Sequence, residues 1–106
     1  MEKAYLHFQE VVRLKPDFAD AQNNVGLILE LHYKKNAEAI DRYRQALMAK
    51  PDDPGFHFNL GIALMKEGKS EEAIEHLRRA VYLNPNYGAA RQALKMALAP
   101  EPRGNR

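Results

Sequence analysis

One pattern occurs twice in this chain at a fixed interval. Asn59-Leu60-Gly61, Ala73, Leu77, Ala80 and Pro85 lie over Asn24-Val25-Gly26, Ala39, Tyr43, Ala46 and Pro51, and Pro51 and Pro85 stand 34 residues apart. A unit of this size has one apolar face and cannot bury it alone, so it stacks on copies of itself. Folding then yields a stacked surface rather than a closed pocket, and the chain reads as a binding scaffold.

The local pattern is helical throughout. Ala4, Tyr5, Phe8, Val11, Val12 and Leu14 recur at helical spacing between Glu2 and Leu14, and Lys15-Pro16-Asp17 ends the run. A second helix is expected from about Ala19 to Tyr33, with Val25, Leu27, Ile28, Leu29 and Leu31 nearly encircling it, which marks a helix covered by neighbours. Asn36 and Ser70 each precede a matching alanine by three residues and are read as caps of the third and fifth helices. Those helices stop at Lys50-Pro51-Asp52 and Asn84-Pro85-Asn86, the same kind of stop as the first, because proline cannot continue the backbone ladder.

The fourth helix opens with Asp53 as cap and Pro54 in its first turn, and closes at Glu67-Gly68, where glycine takes the left-handed conformation. The matching segment, Tyr33-Lys34-Lys35-Asn36, is one residue longer and lacks that glycine, so the second helix is expected to run on slightly and turn through Lys35 or Asn36. A sixth helix is expected from Gly88 to Leu98. The remainder, 99–106, offers nothing to pack and is expected to be a disordered tail.

Composition narrows the function. The 106 residues are 45% hydrophobic and 28% charged, with a formal charge of +2 distributed along the helices rather than gathered in a basic block, which argues against nucleic acid as the partner. No apolar run is long enough to span a bilayer or to form a signal-peptide core. The absence of cysteine excludes thiolate metal sites and thiol nucleophiles.

The glycine, alanine and proline positions resemble the tetratricopeptide repeat: Val25-Gly26 and Leu60-Gly61 in first helices, Ala39 and Ala73 opening second helices, Tyr43 and Leu77 four on, Ala46 and Ala80 three later, then the proline. The resemblance implies an all-α, right-handed solenoid of antiparallel helix pairs. Its parts would be a half repeat at 1–16, full repeats at 17–51 and 52–86, and a capping helix at 87–98. Gln22 and His57 stand where the family usually has tryptophan. Arg91 and Lys95 put charge on the face that a next helix would cover, so the array is expected to stop there. The chain opens on a second-type helix and is therefore expected to be the C-terminal piece of a longer protein.

First helices of the family line a concave groove. Here that implies a groove surface that includes Asp20, Glu30, Lys66 and Ala93, with a peptide-binding set of Asn23, Asn24, Leu27, Phe58, Asn59, Ile62, Met65, Gln92 and Met96. Asn24 and Asn59 precede their glycines by two residues and are expected to stack. Asparagine amides match the donors and acceptors of an extended peptide, an arrangement similar to the asparagine ladder of O-linked N-acetylglucosamine transferases. Their alternative role is structural, bonding across to a neighbouring helix. Asn23, Leu27, Phe58, Ala89 and Ala93 occupy the places where carboxylate-clamp repeats carry cations, which disfavours a chaperone-tail ligand.

No catalytic, metal or cofactor constellation is legible. His7 and His76 fall on outer helices and are expected to face solvent far apart, His57 is read as structural, and Glu75 is expected to pair with Arg79. Enzyme activity is not expected. The leading function is a protein–protein interaction scaffold that receives a peptide segment in the groove. The alternatives are a structural or self-associating segment, through Tyr5, Phe8 and Val12, or the regulatory or substrate-presenting arm of an upstream enzyme.

Overall fold

The computed structural model describes residues 2–15 and 17–99. Among them are six helices and no strand: α1 Glu2–Leu14, α2 Ala19–Leu31, α3 Asn36–Ala49, α4 Pro54–Lys66, α5 Ser70–Leu83 and α6 Gly88–Leu98. Of the tail expected at 99–106, residues 100–106 lie outside the described residues.

Each helix packs on its successor, and α2 with α4 and α4 with α6 also approach each other backbone to backbone, whereas no such approach joins α1 to α3 or α3 to α5. The even helices therefore form the tighter, inner row and the odd helices the splayed, outer row. An α-solenoid of antiparallel helix pairs results.

Small residues set the crossings. A Cβ on Gly26 would stand 2.6 Å from Cε1 of Tyr43, and one on Gly61 would stand 2.8 Å from Cγ of Leu77, so both glycines lie where two helices touch. Ala39, Tyr43 and Ala46 in α3, and Ala73, Leu77 and Ala80 in α5, are fully buried. Leu60, Ala63 and Leu64 of α4 complete the contact and join the pairs into one core with Val25 and Leu29. Each of these leucines contributes roughly 1.5–3 kcal/mol by leaving water. The ends are thinner, with Val12 the buried residue of α1 and Ala90 that of α6.

Asp53 accepts the amide of Phe56 at 3.1 Å and caps α4, with Pro54 beginning the helix. Gly68 has φ +79, and beyond it the Lys69 amide returns to the Leu64 carbonyl at 2.9 Å. The longer counterpart closes on the equivalent contact, from the Lys35 amide to the Leu29 carbonyl at 2.8 Å.

Several expectations are corrected. The α2 helix ends at Leu31 and does not run on to Tyr33. The left-handed residue is Lys34, φ 60, rather than Lys35 or Asn36, because the additional residue is absorbed in the turn before the shared closing contact. Asn36 and Ser70 do not cap their helices, since both already lie inside them and no side chain accepts the first-turn amides of α3 or α5. The Asn36 amide instead donates across to the Ala63 carbonyl and to Glu67, both at 2.9 Å, tying α3 to the end of α4. Arg79 pairs with Asp52 at 3.1 Å instead of Glu75, because the α3–α4 turn brings that carboxylate within its reach.

Candidate functional site

The inner row builds a groove. Between α2 and α4 lies a depression of about 250 Å³ lined by Leu27, Glu30, Leu31, Phe58, Asn59, Ile62 and Lys66. Leu27, Phe58, Asn59 and Ile62 fall together because positions three and four apart share one helix face. Phe58 is held from behind by Tyr87, ring centroids 5.2 Å apart. Asn23, Asn24, Met65, Gln92 and Met96 are not among the residues lining it. Met65 and Met96 are exposed, and Gln92 borders a separate hollow on α6 with Gly88, Arg91 and Lys95.

The asparagines pair diagonally. Nδ2 of Asn59 donates to Oδ1 of Asn23 at 2.9 Å, while Asn24 makes no side-chain hydrogen bond among the described residues. Asn59 is thus bonded across to Asn23 on the neighbouring inner helix, the structural role weighed for these asparagines in the sequence. The bond still leaves Nδ2 of Asn23 as a donor and Oδ1 of Asn59 as an acceptor, side by side at the groove edge.

At the far end of the depression a polar tie crosses the pairs. Glu30, though a carboxylate, is buried. It accepts the Tyr43 hydroxyl at 2.7 Å on one oxygen and Lys66 Nζ at 2.5 Å on the other. Burial, and then the neighbouring Glu30 carboxylate, push the Tyr43 phenol far above its ordinary range, so it remains a donor. The ring of Tyr43 that meets Gly26 is thus fixed at its hydroxyl end. Glu30 and Lys66 were expected on the groove surface, but their bond, the Tyr43 hydroxyl and Leu31 were not. Glu30 and Lys66 are separated by 36 residues and no local pattern links them.

A second correction concerns histidine. His76 does not stand apart in solvent; it is half-buried, and its Nδ1 is 3.0 Å from Nδ1 of His57, which is itself buried. His57 occupies a packing position of α4 against α5, so the outer-helix histidine meets it at the crossing. Among the described residues no three or more His, Asp or Glu side chains converge as a metal site would require. No described helix is long and apolar enough to cross a membrane.

A larger hollow, about 870 Å³, lies elsewhere, between α1, α2 and α3, with Gln9, Gln22, Lys35, Glu38, Asp41 and Arg42 on its walls. Its lining is largely amide and charged, and Arg42 donates to Gln22 at 3.2 Å within it. Tyr5, Val12 and Leu29 also line it, but polar groups outweigh them, whereas the depression beside Phe58 is mostly apolar.

Residues 30–98 match the tetratricopeptide repeat family. The chain belongs to that family. It is 30% identical over 95 residues to the peroxisomal targeting signal receptor of Eremothecium gossypii, covering 87% of this chain and 17% of the relative. It is 36% identical over 103 residues to the anaphase-promoting complex subunit CDC16 of Saccharomyces cerevisiae, covering 91% and 12%. Among solved structures, an O-GlcNAc transferase from Thermobaculum terrenum superposes with TM-score 0.81 at 30% identity, over 89% of this chain and 18% of that one. MamA superposes with TM-score 0.80 at 19% identity, over 88% and 54%, and shows the fold alone. The chain thus spans under a fifth of the curated relatives named here. A protein-interaction module is the role that family membership supports.

Proposed function

We propose that the groove between α2 and α4 receives a peptide segment of a protein partner. The observation that carries this reading is the apolar floor of Leu27, Phe58 and Ile62 beside the Asn23–Asn59 pair, which retains one unused donor and one unused acceptor. A peptide unit carries the complementary acceptor and donor, and its neighbouring side chain would fall on the floor. Grip on the backbone would be worth about 0.5–1.5 kcal/mol per bond, so the apolar contacts carry most of the affinity. A peptide selected from a displayed random library should lose about tenfold in affinity on Phe58→Ala and a smaller factor on Asn59→Ala, measured by calorimetry with helix content checked by circular dichroism. Equal binding by wild type and both variants would place the site elsewhere.

A second reading rests on α1. Leu6 is 58% exposed and Leu14 63% exposed, and in the outer row Leu6 occupies the place taken by Asp41 and Glu75. This face suits a further packed helix or self-association. Val12, expected to take part, is buried in the core, and Tyr5 and Phe8 pack against it, so Leu6 and Leu14 would carry the contact. A concentration-independent monomer in sedimentation would remove self-association.

A further inference from the structure

We propose that His57 and His76 form a proton-operated clasp that joins α4 and α5 to the α3–α4 turn, closed while the pair is neutral and opened by acid. The geometry dictates where the protons sit. Nε2 of His57 lies 2.7 Å from the Pro51 carbonyl oxygen, which can only accept, so that nitrogen carries a hydrogen. In neutral His57 the other nitrogen, Nδ1, is then a bare acceptor. Nδ1 of His76, 3.0 Å away, must donate to it. The ring centres are 5.2 Å apart, so the rings meet nitrogen to nitrogen at their edges. One chain of hydrogen bonds therefore runs from His76 on α5 through His57 on α4 to the turn at Pro51.

A first proton can be held only as a charge in a largely buried place. A second leaves two N–H groups facing each other with no lone pair between them, and the contact must part. The charged surroundings of His76 are mixed: Arg44 from α3 opposes a positive charge, Glu72 and Glu75 on α5 favour it, and His57 from α4 opposes it. Arg44 and Glu72 bind each other at 2.6 Å, which spends much of the Glu72 carboxylate on a partner already present. Burial first, then His57, hold the His76 pKa below the ordinary 6.5. The sign follows. The unfolded chain protonates this histidine as pH falls below 6.5 while folded His76 resists it, so the clasp stabilises fully above that pH and progressively less below it.

The test compares thermal midpoints at pH 7.5 and 5.5 by circular dichroism. Wild type should fall by about 4–8 °C more than His76→Gln, which still offers an N–H but does not titrate. His7 and His32 are common to both proteins and cancel. An equal fall in both would overturn the proposal. Should the variant not fold, long-range ¹H–¹⁵N spectra of the wild-type imidazoles decide. The expected result is Nε2–H on His57, Nδ1–H on His76, and His76 titrating below 6.5. A proton on Nε2 of His76 at neutral pH, or an unshifted titration of His76, would overturn the clasp.

Discussion

The α2–α3 and α4–α5 pairs share their small residues and differ in nearly everything polar. Gly26 and Gly61 meet Tyr43 and Leu77 at equivalent crossings, and the alanines at equivalent places are all fully buried. Around that frame, the first pair braces its large residue with a buried carboxylate and the second fills the same place with leucine. The first begins without a side-chain cap and the second uses Asp53. The first turns through Lys34 and the second through Gly68. Helix approach tolerates no variation at glycine and alanine, whereas polar ties can be exchanged provided each buried group finds a partner.

The sharpest way to break this equivalence is to empty a crossing. Leu77→Ala removes a fully buried side chain and should destabilise by roughly 2–5 kcal/mol in urea unfolding, the largest single effect expected here. Filling the crossings comes next. Gly26→Ala and Gly61→Ala should each cost about 1–3 kcal/mol, with Gly26→Ala the costlier, because the Tyr43 ring is held by Glu30 while Leu77 has rotamers to yield into. Equal losses would mean that the Tyr43–Glu30 bond does not stiffen the joint. The smallest effect sharpens the turns: Lys34→Gly should raise stability by about 1 kcal/mol by relieving a left-handed conformation, with the gain read as a shift in thermal midpoint.

Much of the fold was legible because its signals are local. Proline stops, the Asp53 cap, Gly68 and the apolar spacing each act within a few residues, and the repeated glycine and alanine positions placed the crossings. What escaped was decided between helices. The hydrogen bond from Asn59 to Asn23 joins two helices, and no single-helix pattern encodes it. Asn36 looked like a cap, but the Ala63 carbonyl and Glu67 of the next pair draw its amide away. His76 read as solvent-facing until α4 brought His57 against it. Of the groove, Leu27, Phe58, Asn59 and Ile62 came from the family resemblance, while Leu31 and the bond between Glu30 and Lys66 needed the arrangement of two helices.

The turn after α2 carries one residue more than its counterpart after α4, yet both close through the same amide and carbonyl. Length there is decoupled from the stacking. An affinity tag or reporter loop grafted beside Lys34 should consequently leave the rest of the molecule undisturbed, making this corner a natural port for engineering.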